Sequence, residues 1–316
     1  MHELSKRVLE KDVRAVARVL RLADDRAGPY LEVLRDLFPE TGRAYVLGVT
    51  GNPGSGKSTL CDRLIEAYRR QKKTVGVIAV DPTSPFSGGA ILGDRIRMQR
   101  HAEDPGVFIR SVATRGHLGG LSRSARDMVR VLDAYGADVV LVETVGVGQD
   151  ELEVTRTAHS TLVVTCPGMG DEVQAIKAGI LECADVFGVN KADREGADGV
   201  VRDLELMIAL GKETSRSAAP WIAPIVRCTA TRGEGISELV LALERHREWL
   251  EGTDAGRARR RARLSEELRD GLREALVEAA VHELGPRIED AVRKVDAREV
   301  DPYTATEDLV AAFRRR

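Results

Sequence analysis

No stretch of this 316-residue chain approaches the ~18 consecutive apolar residues of a membrane span. The opening Met1-His-Glu-Leu-Ser-Lys-Arg7 is charged and develops no apolar signal core. No membrane partner and a cytoplasmic location are therefore expected. Cysteine is scarce: Cys61, Cys166, Cys183 and Cys228 stand far apart with no C-x-x-C pair, which argues against a disulfide framework and a zinc cluster. Aromatic residues make up 4% of the chain, and none interleaves with its basic run, Arg257 to Arg263, so the run lacks the stacking surface that single-stranded nucleic acid needs. Neither sign of charge dominates. The 48 basic and 50 acidic side chains leave a net of −2, so no global field draws the chain to nucleic acid, and recognition has to be local.

What is present is an alternation. Residues 3 to about 38 carry Leu4, Val8, Leu9, Val13, Val16, Leu20 and Leu22 at helical spacing, which predicts an N-terminal helical extension over 1–42. From Arg43 onward short β-branched runs alternate with helical stretches: Ala44–Thr50, Thr74–Val80, Val107–Val112, Val139–Val142, Thr161–Thr165, Val186–Val189 and Pro224–Arg227. Several are apolar at consecutive positions, as strands buried on both faces require. The pattern predicts a doubly wound α/β domain with a mostly parallel sheet over 43–250. After Leu250 no β-like run follows. Leu264, Leu268, Leu272, Leu276 and Leu284 form a helical stripe in a C-terminal segment, 251–316, that must pack on the rest of the chain or on a partner. Gly285-Pro286 predicts a break in that helix.

One loop carries the chemistry. Gly51-Asn-Pro-Gly-Ser-Gly-Lys-Ser58 matches G-x-x-x-x-G-K-[ST] at every fixed position, between the first predicted strand and a helix starting near Thr59. The amides of Gly51, Asn52, Pro53's neighbours, Gly54, Ser55 and Gly56 can wrap a phosphate. Lys57 reaches the β/γ oxygens, Ser58 holds Mg²⁺, and the helix presents its positive end. The base is read further on. Asn190-Lys-Ala-Asp193 fits [NT]-K-x-D after a predicted strand: the Asp193 carboxylate accepts from guanine N1–H and N2 amine, whereas adenine offers an acceptor at N1 and no N2 amine. Lys191 is expected to cover the base, Asn190 to brace the loop, and Cys228, Thr229 and Ala230 to present amides to guanine O6. GTP is the expected nucleotide.

Four further positions complete the expected site. Glu143 ends the run Asp138–Glu143 and is placed to hold Mg²⁺, with the Gly146 amide three residues on at the γ-phosphate. Asp81 and Asp94 are candidates for ordering Mg²⁺ waters or activating the attacking water; each also reads as a turn aspartate or helix cap. Val147 stands where a Ras-type enzyme keeps its water-positioning glutamine, and Gln149 comes later. Slow intrinsic hydrolysis, completed by a partner, is the expectation.

Taken together, Gly51–Thr59, Asp81–Pro85, Gly93–Met98, Arg110–Gly116 with Leu118–Leu121, Glu143–Gln149, Pro167–Asp171 through Lys177–Gly179, Asn190–Asp193 and Asp301–Tyr303 make the chain resemble the MeaB/ArgK/MMAA family of P-loop GTPases. That resemblance implies a chaperone that gates adenosylcobalamin loading and protects or reactivates a B12-dependent acyl-CoA mutase, with the cobalamin adenosyltransferase as a further partner and a homodimer formed through the C-terminal helices. It implies that Asp81, Asp94 and Glu143 are the acids near Mg²⁺ and the nucleophilic water. It also places Asp171, Glu172 and Lys177, with Gln149, in switch segments that communicate with the mutase. No aspartate precedes any of the six histidines by two residues, so the Asp-x-His-x-x-Gly signature of base-off cobalamin binding is absent and the cobalamin is expected on the partner. The alternatives are a P-loop kinase of the type once attributed to ArgK and a nickel-insertion GTPase. Nothing in the sequence identifies a phosphate acceptor for the first, and no Cys/His cluster serves the second.

Overall fold

The computed structural model describes residues 1–81, 99–101, 103–113, 120–144, 156–168, 183–214 and 221–314. Among them, seven strands form one sheet: β1 (Tyr45–Gly51), β2 (Val75–Asp81), β3 (Val107–Ala113), β4 (Val139–Glu143), β5 (Ser160–Thr165), β6 (Val186–Val189) and β7 (Ile225–Arg227). Their order is β3-β2-β4-β1-β5-β6-β7, with every pairing parallel. Each strand falls on one of the seven runs expected from sequence.

Consecutive apolar residues are needed because successive side chains face opposite layers. Tyr45, Leu47 and Val49 of β1 enter one core with Leu60, Leu64 and Ile65 of α4 (Lys57–Arg70) and Leu239 and Leu243 of α7 (Ile236–Gly252). Val46 of β1, with Val140 and Val142 of β4, enters a second core on the other face, against Met128 and Leu132 of α5 (Gly120–Tyr135). The same core takes in Val16 and Leu20 of α2 (Val13–Asp25) and Val33 and Leu37 of α3 (Tyr30–Leu37), while α1 (Glu3–Leu9) adds Leu4 and Val8. The N-terminal helices thus complete a layer of the sheet domain. Each of these fully buried aliphatic side chains contributes roughly 1.5–3 kcal/mol. A third cluster joins β5 and β6 to Val200, Val201 and Leu204 of α6 (Ala197–Thr214).

Two features of this scaffold place the site. Strand β1 is flanked by β4 and β5, so the direction of winding reverses beside it, and the crevice that ligands use in such sheets opens at its C-terminal end. The entry into β1 is also fixed. Asp133, near the end of α5, accepts backbone N–H groups from Gly42 (2.5 Å), Arg43 (3.2 Å) and Ala44 (2.9 Å).

Residues Met1–Gly256 form one compact unit and Arg257–Arg316 a second. Helix α8 (Asp254–Asp296) runs unbroken through Pro286, contrary to the break expected at Gly285-Pro286. A helix-interior proline costs ~3 kcal/mol by removing one donor and crowding the preceding turn. Here the ring is exposed, so water can serve the orphaned carbonyl, and the helical residues on both sides carry the helix through. Residues Leu264, Leu268, Leu272 and Leu276 are 50%, 75%, 61% and 50% exposed, whereas Leu284 is buried. After a short connection, α9 (Pro302–Arg314) begins with proline at its first position and Asp301 as cap, accepting from the amides of Tyr303 (2.9 Å) and Thr304 (3.0 Å). Among the described residues no helix is long and apolar enough to cross a membrane.

Candidate functional site

The loop from Gly51 to Gly56 joins the buried end of β1 to the first turn of α4. Its glycines are dictated by close approach. Gly51 has φ of 134°, and a Cβ there would lie 2.0 Å from Val164 O in the neighbouring β5. Gly56 caps α4 with φ of 91°, where a Cβ would lie 2.4 Å from Asn190 Nδ2. Both positions need a residue without a side chain. Between them the chain turns back on itself, with Ser55 N donating to Asn52 O at 3.2 Å, and the exposed Pro53 and Gly54 form the outer rim. Thr59 continues α4. Lys57, 6% exposed, folds over this turn and donates to Gly51 O (2.8 Å) and Asn52 O (3.0 Å). The ammonium is thus already held at the mouth of the loop by two carbonyl dipoles.

Ser58, in the first turn of α4, and Glu143, the last residue of β4, meet in the crevice: the hydroxyl donates to Glu143 Oε1 at 2.8 Å, and both side chains are buried. These are hard oxygen donors one turn from a helix N-terminus, the donor chemistry that Mg²⁺ prefers. The register aligns Glu143 with Val49 of β1 and with Ala79 of β2, so β2 carries Asp81 two residues beyond that level. Past β4 the strand end is tied down, with Thr144 N donating to Val49 O (3.1 Å) and its hydroxyl to that of Thr50 (3.1 Å). The Asp81 side chain and residues Asp94, Gly146, Gln149, Asp171, Glu172 and Lys177 lie outside the described residues.

On the other side of the crevice the Asn190–Asp193 loop grips the phosphate loop. Asn190, buried at the end of β6, donates from Nδ2 to Ser55 O (2.8 Å) and accepts from Ala230 N at Oδ1 (3.1 Å). Lys191 adopts a left-handed backbone, φ 56°, and its ammonium reaches Gly54 O at 2.7 Å. Ala192 N donates to Cys228 O at 3.1 Å. Three loops are therefore bonded into one body around the crevice. Next to them, the Asp193 carboxylate lies 3.4 Å from the Arg232 guanidinium, about a third exposed.

The amides after β7 are arranged differently from the sequence expectation. Cys228 N donates to Val189 O (2.9 Å), Thr229 N to Glu234 O (3.0 Å) and Ala230 N to Asn190 Oδ1 (3.1 Å), so in this conformation all three are spent inside the chain. The amide of the following residue, Thr231, donates to no acceptor among the described residues. Sequence reading missed it because residue type says nothing about which main-chain N–H a turn leaves over. Burial pushes the Cys228 thiol up to about 12, so it stays a protonated core side chain, bonded weakly to Val189 O.

The family model described as "Methylmalonyl Co-A mutase-associated GTPase MeaB" matches residues 15–284. The chain belongs to this family. A protein of Pyrococcus abyssi is 48% identical over 310 residues, 98% of this chain and 95% of that one. The Escherichia coli "GTPase ArgK" is 36% identical over 241 residues, 75% of this chain and 73% of that one. Among solved structures, one titled "Crystal structure of LAO/AO transport system kinase" superposes with a TM-score of 0.72 at 26% identity, covering 99% of this chain and 97% of that one. As a MeaB-family GTPase, the chain carries the P-loop GTPase fold.

Proposed function

We propose that this MeaB-family chain is a Mg²⁺-dependent enzyme that hydrolyses GTP to GDP and phosphate, and that its nucleotide state controls adenosylcobalamin loading of an acyl-CoA mutase. The observation that carries the nucleotide half is the direct bond between phosphate loop and base loop: Asn190 ties Ser55 O to Ala230 N. Asp193 is then the guanine-reading carboxylate. Lys57 stabilises charge on the β/γ oxygens, and Lys191, anchored on Gly54 O, lays its stem along the base. Ser58 and Glu143 hold Mg²⁺, with Asp81 and Asp94 as the further acids. Bound there, the ion would offset negative charge on the phosphate oxygens. Gly146 is assigned to the γ-phosphate, and Gln149, Asp171, Glu172 and Lys177 to communication with the partner.

The mutase half rests on the family's description, which names methylmalonyl-CoA mutase association. In this reading the corrin cofactor sits on the mutase, the adenosyltransferase supplies it, and the complex is cytoplasmic. The leucines exposed at four-residue intervals on α8 support a homodimer, because an apolar helical stripe of that kind is stable when a second copy covers it.

Size-exclusion chromatography of the full chain mixed with a purified methylmalonyl-CoA mutase tests this reading. Co-elution is expected, with an affinity that differs between GDP and a non-hydrolysable GTP analogue. Separate elution in every nucleotide state would refute the mutase assignment.

A further inference from the structure

Arg63 lies on α4, six residues beyond Lys57, on the side of the helix facing the loop after β7. Each of its three guanidinium nitrogens has a partner. Nε donates to Ala230 O at 2.8 Å, Nη2 to Thr231 O at 3.0 Å and Nη1 to Glu66 Oε2 at 3.0 Å. Glu66 sits one turn along the same helix and is itself fixed by Arg70 Nη2 (2.5 Å) and Arg100 Nη2 (3.4 Å). The hydrogen bond from Arg63, followed by its other cationic neighbours, holds the Glu66 carboxyl below its ordinary range, so Glu66 is an anion that orients the guanidinium. A planar fork thus clasps two successive main-chain carbonyls, a grip that a lysine ammonium cannot reproduce.

The consequence follows from peptide geometry. Ala230 C=O and Thr231 N–H belong to the same planar trans unit and point in opposite directions. Anchoring the carbonyl on Arg63 therefore turns the Thr231 N–H away from α4. That amide is the one left over after Cys228, Thr229 and Ala230 have been used. The turn alone holds the same carbonyl more weakly, through Gly233 N at 3.3 Å. The charged donor at 2.8 Å is the stronger restraint.

We infer that Arg63 is a specificity-determining positioning residue: by clasping Ala230 O and Thr231 O it aims the Thr231 amide at the six-position oxygen of the purine. Its effect is confined to that oxygen, because the two- and one-positions are read by Asp193 from a different loop. This inference rests on the guanine-nucleotide reading above, and the test separates the two.

The test compares wild-type chain with Arg63→Ala and Arg63→Lys, measuring displacement of a fluorescent GDP by GDP, IDP and 2-aminopurine riboside diphosphate. IDP keeps the six-position oxygen and N1–H and lacks the two-amine; 2-aminopurine keeps the amine and lacks both the oxygen and the N1–H, and the N1 contribution, read by Asp193, cancels between wild type and variant. In Arg63→Ala the preference for GDP over the 2-aminopurine nucleotide is expected to fall about tenfold, as loss of one well-aimed hydrogen bond implies. The preference for GDP over IDP should stay as in wild type. Arg63→Lys, which keeps the charge without the fork, should show an intermediate fall and carries the test if the alanine variant does not fold. Both preferences unchanged, or both falling together as a loosened pocket would give, overturns the inference. A wild-type chain with no preference for GDP over either analogue overturns the guanine reading itself.

Discussion

Replacing Lys57 by alanine is expected to leave the fold standing while lowering GTP turnover by about 10²–10³-fold, the usual cost of removing one preorganised charge partner from a transition state. The ammonium is nearly buried and is held by Gly51 O and Asn52 O before any nucleotide arrives. These bonds preset its position at the mouth of the loop, and little reorganisation remains when phosphate oxygens take over from the carbonyls. Stability should change little. The hydrogen bonds to Gly51 O and Asn52 O are lost, worth about 1 kcal/mol each, but the desolvation of a buried cation is relieved at the same time. Arginine should not rescue, since its broad fork does not fit the place of a compact ammonium beside Gly51. Phosphate release measured beside a thermal melt checks the prediction. Undiminished turnover in a folded Lys57→Ala chain would remove the assigned role.

Asp193→Asn is expected to weaken GDP binding by about 100-fold or more and to raise affinity for xanthosine diphosphate. In the proposed pocket the carboxylate accepts two bonds from guanine, whereas the amide places a donor opposite the N2 amine and leaves that contact repulsive. Xanthine carries an oxygen at the same position and accepts what the amide donates. The Arg232 contact does not blunt this exchange. At 3.4 Å and with both partners substantially exposed, that pair is worth little and yields readily to a base. Competitive binding of GDP and xanthosine diphosphate to wild type and variant decides the matter. A GDP affinity unchanged by the substitution would count against Asp193 as the base-reading residue.

The parts of this fold that were legible in sequence are those where one physical requirement acts on neighbouring residues. Val139, Val140, Leu141 and Val142 read as a strand because two packed layers demand apolar side chains on both faces, and β4 is found there. The phosphate loop was legible because Gly51 and Gly56 must make room for Val164 O and the Asn190 amide, a need that appears directly as residue type. What escaped notice depends on residues distant in the chain. The clasp between Arg63 and residues 230–231 spans more than 160 positions, and an arginine on a charged helix face carries no mark of a carbonyl partner. The same holds inside the core. Tyr45, Ser160, His246 and Asp185 form a buried polar chain, with Tyr45 Oη donating to Ser160 Oγ (2.5 Å) and His246 linked to Ser160 (2.6 Å) and Asp185 (3.3 Å). No periodicity announces it. The unbroken helix through Pro286 is not legible in the sequence for another reason: the cost of one missing donor is fixed locally, but exposure decides whether water can serve the orphaned carbonyl.

On the proposed reading, phosphate loop and base loop form one guanine-selective pocket in the free chain. Isothermal titration calorimetry of the wild-type protein with GDP and with ADP, in the presence of Mg²⁺, tests it most directly. One GDP bound per chain with no measurable heat for ADP is the predicted result. Equal binding of the two nucleotides, or heat from neither, would contradict it.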